Sequence, residues 1–138
     1  MIAYVDSSVV LRLVLGQPGA LAEWRSVEEG ITSALTEVEC LRTLDRLRIP
    51  EGIPDQALAE RRESVYQLLA SLAVMEIGRT VLDRAAQPLP TALGTLDAIH
   101  LATAQIWRET TSTTLTMATH DASLATAVRA LGMPIVGA

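Results

Sequence analysis

Four acidic residues lie where a predicted strand passes into a predicted helix, and their side chains could bind a divalent metal ion. Asp6 follows a short apolar run, Asp121 follows a β-branched run, and Glu39 and Asp97 lie in the first turns of predicted helices. The carboxyl ends of parallel strands share one edge of a sheet, so these carboxylates are expected to converge there. Converging carboxylates repel one another, and Mg²⁺ or Mn²⁺ relieves that repulsion. Sites of this kind perform phosphoryl-transfer chemistry.

Helix capping explains the position of any one of these acids. An aspartate at the N-cap accepts hydrogen bonds from free backbone N–H groups, and an acid in the first turn interacts favourably with the helix dipole, each contributing roughly 0.5–1 kcal/mol. Residues 36–39 also fit a capping box. Capping does not explain why all four acids fall at one edge of the predicted sheet. Their coincidence therefore favours a metal site.

Hydrophobic periodicity predicts alternating strands and helices. The predicted strands are 2–5, 31–33, 74–77, 113–118 and 134–136. The predicted helices are 7–15, 20–29 with Gly30 at its end, 35–49, a long helix capped by Asp55 and running to about residue 73, a helix from Gly78 to about residue 86, a central apolar helix from residue 95 to beyond 107, and 122–131. This order predicts a three-layer α/β/α sandwich with a central, mostly parallel sheet of about five strands.

The composition is that of one domain spanning residues 1–138. Hydrophobic residues make up 49% of the chain, which is enough to bury a core. No apolar run approaches the roughly 18 residues of a membrane span, so we expect a soluble, cytoplasmic protein with no membrane partner. The single cysteine, Cys40, excludes an internal disulfide and is expected to be a small buried apolar residue.

The charge of the chain limits how it could bind nucleic acid. A net charge of −5 argues against a broad basic binding surface. It does not exclude a nuclease, because carboxylates that hold a divalent metal make a site negative and the metal then supplies the positive charge that phosphate requires.

Several other mechanisms lack the residues that they require. The sequence contains neither G-x-x-x-x-G-K-[ST] nor G-x-G-x-x-G, so the common nucleotide-binding loops are absent. A phosphoreceiver domain requires a lysine, and all 11 basic residues here are arginines. An aspartyl phosphatase would carry a second aspartate two residues after Asp6, where Ser8 stands. A mixed site that includes His100 or His120 stays open, because each histidine lies close to one of the acids.

Four segments resemble those of PIN-domain ribonucleases and, within that family, the VapC-type toxins of bacterial toxin–antitoxin pairs. They are V-D-S-S-V-V at 5–10, S-A-L-T-E-V-E at 33–39 followed by L-R at 41–42, L-D-A-I-H-L-A-T-A at 96–104, and T-H-D at 119–121 with L-A at 124–125 and A-L-G at 130–132. They span almost the whole chain in the family's order, whereas the region 51–84 matches poorly in detail. The resemblance implies a PIN-like α/β fold.

The resemblance also implies an activity, a site and partners. It implies a toxin endoribonuclease in which Mg²⁺ or Mn²⁺ activates a water for attack on RNA phosphodiesters. The metal-binding and catalytic acids would be Asp6, Glu39, Asp97 and Asp121. The family's spacing selects Glu39 over Glu37, Ser8 and Thr119 match hydroxyl positions that orient the carboxylates, and His100 matches a position that is not a ligand. The implied partners are RNA, a cognate antitoxin and a second copy of the chain in a homodimer.

Two other functions stay open at this point. A PIN-domain nuclease of RNA processing, outside any toxin pair, would carry the same acids, and the gene immediately upstream would discriminate it from a toxin. A PIN-like module that binds RNA or protein without cleaving it is disfavoured by the intact acids. Arg12 is a weak candidate for a phosphate contact and is better interpreted as a solvated arginine.

Overall fold

A five-stranded parallel sheet runs through the centre of the protein, and helices cover both of its faces. The computed structural model describes all 138 residues. The strands are β1 (Ile2–Val5), β2 (Glu29–Ser33), β3 (Ala73–Met75), β4 (Thr116–Ala118) and β5 (Ile135–Val136), in the spatial order β3-β2-β1-β4-β5. The helices are α1 (Ser7–Leu15), α2 (Ala34–Leu47), α3 (Asp55–Ala70), α4 (Arg79–Ala85), α5 (Thr95–Thr111) and α6 (Ala122–Ala130). The predicted α/β/α fold is confirmed.

The central strand β1 contributes side chains to two separate hydrophobic cores. Ala3 and Val5 face a core formed with α1, α2 and α3, whereas Tyr4 faces a core formed with α5 and α6. This division follows from the two-residue period of a strand, in which successive side chains point to opposite faces. The run 2–5 is apolar throughout because both faces of β1 are covered.

The register of the sheet brings three strand ends to one edge. Tyr4 of β1 pairs with Ile31 of β2 and with Met117 of β4, and all of these pairings are parallel. The carboxyl ends of β1, β2 and β4 are therefore neighbours. The residues that follow these strands share this edge with the first turn of α5.

The predicted helix at 20–29 is wrong. The chain forms only a short 3₁₀ helix at Ala22–Ser26, and β2 begins at Glu29. Gly30 ends no helix; it lies inside β2 and pairs with Ala3. A Cβ atom on Gly30 would come within 2.3 Å of a methyl carbon of Leu72, so the glycine permits a close approach between the strand and the segment after α3.

Helix α2 begins earlier than the sequence pattern predicts. Ser33 is its N-cap, and its hydroxyl accepts a hydrogen bond from the backbone N–H of Leu35 at 3.1 Å. The predicted capping box at 36–39 is wrong, because Thr36 is buried and its hydroxyl lies 2.7 Å from that of Thr32. Glu39 consequently lies in the second turn, beyond the free N–H groups of the helix start. Helix capping therefore does not explain the position of Glu39.

Other boundaries also differ from the predictions: β4 begins at Thr116 rather than at residue 113, and both ends of α3 are shifted. Pro54 occupies the N-cap of α3, so Asp55 is the first helical residue and does not cap it. Helix α3 ends at Ala70, because the chain turns there to begin β3 at Ala73. None of the helices is both long and apolar enough to cross a lipid bilayer.

Candidate active site

Asp6 follows β1 directly and is fixed by hydrogen bonds from two segments, the start of α1 and the residue after β4. It is the N-cap of α1, and one carboxylate oxygen accepts from the backbone N–H groups of Ser8 at 3.0 Å and Val9 at 3.4 Å. The Ser8 hydroxyl donates to the same oxygen, and the Thr119 hydroxyl donates to the other oxygen at 2.6 Å. Burial raises the pKa of Asp6, and the two hydroxyl hydrogen bonds oppose part of that rise. This carboxylate is therefore held in one orientation.

Asp121 follows β4 and is anchored in a similar way. As the N-cap of α6, it accepts a hydrogen bond from the backbone N–H of Leu124 at 2.8 Å. The Thr119 hydroxyl that donates to Asp6 also accepts from the backbone N–H of Asp121 at 3.0 Å. One threonine hydroxyl thus connects the loops that carry these two acids.

Glu39 reaches the same edge from the second turn of α2 and is held by a buried histidine. His100 Nε2 is hydrogen-bonded to Glu39, and His100 Nδ1 lies 2.6 Å from the Tyr4 hydroxyl. Burial, with Asp6 and Glu39 nearby, raises the pKa of Tyr4 well above that of an ordinary phenol. Because an ionised carboxylate only accepts, the arrangement that satisfies all three groups has Tyr4 donating to His100 and His100 donating to Glu39.

Asp97 differs from the other three acids because no hydrogen bond holds it. It lies in the first turn of α5, where Gly94 is the N-cap and supplies no side-chain cap. Burial raises the pKa of Asp97, and the negative charge of Asp121 raises it further. The charge of His100 opposes this rise, and Asp6 and Glu39 add smaller increases. Asp97 is thus the residue at which the negative potentials of the other three acids combine.

Three residues near the acids, Cys40, Glu37 and Arg12, can be compared with the predictions made for them from the sequence. Cys40 is fully buried, as predicted, and burial with the fields of Glu39 and Asp6 raises the pKa of its thiol to about 12. Glu37 is exposed, whereas Glu39 is half-buried. Arg12 donates to the carbonyl of Gly19 at 3.2 Å, so it holds the loop after α1.

The donor set suits a hard divalent cation, although the acids do not form a compact cage. No three of the His, Cys, Asp and Glu side chains lie close enough together to make a ready coordination set. Mg²⁺ does not require one, because it commonly binds through one or two carboxylates and keeps several waters. Burial and, after it, the negative charge of the neighbouring acids raise the pKa of Asp97, and a cation would neutralise that charge. The residues therefore fit Mg²⁺ or Mn²⁺ bound partly through water.

Histidines do not form a mixed ligand set with these acids. His100 is engaged on both ring nitrogens by Tyr4 and Glu39, and it is buried beneath the site. His120 turns aside, with Nδ1 2.9 Å from the Gly137 carbonyl oxygen. The contact between His100 and Glu39 has no local sequence signal, since 61 residues separate them. Sequence reasoning therefore missed the role of His100 as a support for Glu39.

Comparison with known proteins decides the family. The PIN domain family matches residues 3–128. This chain belongs to the PIN-domain family. It is 37% identical over 138 residues to Ribonuclease VapC35 of Mycobacterium tuberculosis, covering 96% of this chain and 94% of that protein. It is 32% identical over 136 residues to Ribonuclease VapC46 of the same species, covering 96% and 95% of the two chains. The predicted membership among VapC-type PIN ribonucleases is confirmed.

Several solved structures share the fold at low sequence identity. FitAcB from Neisseria gonorrhoeae superposes with a TM-score of 0.73 at 20% identity, covering 98% of this chain and 96% of that one. Mycobacterium tuberculosis VapC20, described as a Sarcin-Ricin loop cleaving toxin, superposes with a TM-score of 0.65 at 15% identity, covering 91% and 94%. At these identities the similarity shows the fold alone.

Proposed function

We propose that this PIN-domain protein is the toxin of a toxin–antitoxin pair and acts in the cytoplasm as a Mg²⁺- or Mn²⁺-dependent endoribonuclease. The observation that carries the proposal is the convergence of the acids at one edge of the sheet, where the Thr119 hydroxyl links Asp6 to the backbone of Asp121 and His100 holds Glu39. The similarity to relatives named ribonucleases supports the reaction, and it extends over nearly the whole chain.

The proposed roles follow from how each acid is held. Asp6, Glu39 and Asp97 bind the cation directly or through water, and Asp121 completes the site or positions a second ion. When bound, a divalent cation lowers the pKa of an attacking water and neutralises charge that develops on the phosphodiester. Ser8 and Thr119 orient the two oxygens of Asp6, so this carboxylate keeps its position as substrate binds.

His100 is a positioning residue in this proposal. Glu39 lies in the second turn of α2, beyond the free N–H groups at the start of the helix. No backbone N–H group therefore holds its carboxylate. His100 provides that fixation, and Tyr4 in turn holds the histidine from the buried face of β1. The chain Tyr4–His100–Glu39 thus aims a carboxylate from the interior, as hydrogen-bonded groups behind metal ligands commonly do.

The proposed partners are an antitoxin and a second copy of the chain. The solved structures of similar fold include a toxin–antitoxin complex from Klebsiella pneumoniae. An antitoxin segment that covers the acidic edge would neutralise its charge and block RNA. A homodimer is proposed from the resemblance to VapC-type toxins, and a single PIN-like domain spans residues 1–138 of each copy.

The test compares RNA cleavage by the purified chain with cleavage by matched acid-to-amide variants. With Mg²⁺ or Mn²⁺ the protein is expected to cut RNA internally, and EDTA is expected to stop the reaction. Asp97→Asn and Glu39→Gln should abolish cleavage and relieve growth arrest on expression. Glu37→Gln removes the same charge from the same helix on its exposed side, so it should retain full activity.

Two results would contradict the proposal. One is a purified protein that leaves all RNA intact with either metal. The other is cleavage or growth arrest that survives Asp97→Asn, because the acids would then not be the site. A protein that binds RNA without cleaving it, with or without the acids, would instead support the binding-module alternative.

A further inference from the structure

Helix α2 carries two arginines on the same face as Glu39. Residues 39, 42 and 46 follow the three- and four-residue spacing that places side chains above one another on a helix. At 1.5 Å per residue, Arg42 lies about 4.5 Å and Arg46 about 10.5 Å along the helix axis from Glu39. The two guanidinium groups therefore form a row that leads away from the acidic edge.

A groove of about 250 Å³ lies along this row. Its α2 wall includes Glu39, Arg42 and Arg46, and Ser7 and Leu96 from the starts of α1 and α5 also line it. Most of its polar groups are donors, whereas the one carboxylate, Glu39, is engaged by His100. A donor-rich groove suits a ligand that only accepts hydrogen bonds, and a phosphodiester oxygen is such a ligand.

The two arginines keep donors free for a ligand. Arg42 contacts Asp45 at 3.0 Å, but the two side chains are 61% and 42% exposed, so this ion pair is weak. Arg46 donates one bond, to the Thr43 hydroxyl at 3.1 Å. Each guanidinium has five N–H donors, so most of them are unused in both residues.

Apolar groups lie beside the arginine row. Val38 is 57% exposed and Leu96 is 49% exposed, and both line the groove. The spacing of α2 predicts Val38 on the buried face, so its exposure departs from the sequence expectation. A ligand that carries both phosphates and apolar ring surfaces would contact these side chains and the arginines together.

We propose that Arg42 and Arg46 form a phosphate-binding subsite for the single-stranded RNA that flanks the scissile phosphodiester. This inference rests on the proposed nuclease function and adds the direction in which the substrate leaves the acidic edge, along α2. A single row of arginines on one helix follows one strand. The chain is acidic overall, so this local row supplies positive charge where the substrate requires it.

The experiment measures how RNA binding depends on salt. The probe is fluorescein-labelled single-stranded RNA of mixed sequence, titrated against the Asp97→Asn protein, which holds the probe intact. The variant is Arg42→Gln/Arg46→Gln on that background, since glutamine preserves helix propensity. Loss of two phosphate contacts should reduce the magnitude of the slope of log K against log salt by about 1.4, and affinity should fall similarly for RNAs of different sequence.

The control variant is Arg25→Gln/Arg129→Gln on the same background. It removes the same number of charges, but Arg25 precedes β2 and Arg129 lies in the last turn of α6, so both lie towards the amino ends of the strands. It should leave the salt slope unchanged. Thermal melting of each protein establishes that all of them are folded.

Three results would overturn the inference. The first is an equal change of slope in the two double variants, which would indicate a general charge effect. The second is unchanged RNA binding with loss of a co-expressed protein partner, which would make the groove a protein interface. The third is the absence of RNA binding before any arginine is changed. Cleavage by the unsubstituted protein is measured separately, so a failed subsite with intact cleavage leaves the nuclease function standing.

Discussion

The acidic edge has two halves that are built differently. On the β1 and β4 half, Asp6 and Asp121 cap helices and share the hydroxyl of Thr119. On the α2 and α5 half, Glu39 depends on the side chain of His100, and Asp97 has neither a cap nor a hydrogen bond. The first half is complete in the protein alone. On the second half, only Glu39 has a hydrogen-bond partner for its carboxylate.

This difference indicates that the four carboxylates affect the stability of the fold in two different ways. A carboxylate that accepts several hydrogen bonds stabilises the fold and is also oriented. A carboxylate whose pKa is raised by burial and by neighbouring acids destabilises the fold while it is ionised. Burial raises the pKa of both Asp6 and Asp97, but hydrogen bonds offset part of this rise only at Asp6, so a bound cation or substrate would relieve the cost of an ionised Asp97 more than that of Asp6.

The largest expected effect is a contrast between Asp97→Ala and Asp6→Ala. Both variants should lose RNA cleavage by more than the roughly 100-fold that loss of a group behind a ligand can cause. Their unfolding free energies should differ. Asp6→Ala removes an N-cap and the acceptor of two hydroxyls, which costs about 1–3 kcal/mol, whereas Asp97→Ala should match or exceed the native stability without metal.

Urea unfolding without metal and thermal melting with added Mn²⁺ measure this contrast. Mn²⁺ should raise the melting temperature of the unsubstituted protein, because a ligand that binds only the folded state stabilises it. The rise should be smaller for Asp97→Ala. Equal destabilisation by both substitutions would show that the two halves are not different.

A smaller effect is expected at His100. His100→Phe removes the donor to Glu39, and cleavage should fall about 10- to 100-fold through kcat with little change in KM for RNA. His100→Gln keeps an N–H donor and should recover part of that loss. Binding of Mn²⁺, followed by calorimetry, should weaken in the same order.

Stability measurements serve as the control for His100. A role in packing alone would lower the stability of both variants and give no recovery of Mn²⁺ binding in His100→Gln. Unchanged Mn²⁺ binding in His100→Phe would show that His100 does not position Glu39 for metal binding.

The smallest effect is expected at an ion pair outside both halves. Arg84 donates two hydrogen bonds to Glu109, at 2.9 and 2.7 Å, and these hydrogen bonds lower the pKa of Glu109. A lowered pKa in the folded state adds stability above the unfolded pKa and loses it as the pH falls through the folded value. Glu109→Gln should therefore cost at most about 1 kcal/mol at neutral pH, because the pair is exposed, and nothing at acid pH.

Urea unfolding at the two pH values measures the effect of Glu109→Gln. A cost that persists in acid would exclude the carboxylate charge as its cause. The comparison also calibrates the larger differences expected between Asp6 and Asp97, since it shows what an exposed pair contributes in this protein.

Local sequence signals predict the half of the site that is built from helix caps. The apolar run of β1, the aspartate that follows it and the glycine after α1, Gly16, specify these boundaries, and the structure has the same strand and helix. Gly16 is in the left-handed conformation that favours glycine at such an end. Asp121 is predicted for the same reason, since it caps the next helix after a strand.

Signals that depend on distant partners are not available from sequence patterns. Gly30 resembles a helix end until Leu72, which is far along the chain, packs against it. The support that His100 gives Glu39 joins two helices, and the bond from Tyr4 joins one of them to the first strand. The half of the site that lacks caps is therefore the half that sequence reasoning describes least.

The position of β1 has a consequence for the order of events in folding. The strand lies at the centre of the sheet, and Asp6 is bonded to Thr119, 113 residues later. Asp6 has no Thr119 hydroxyl and no Asp121 beside it until β4 has paired with β1. The acidic edge therefore forms only after a contact between segments that are far apart in sequence, and closing so long a loop costs chain entropy before the contact forms.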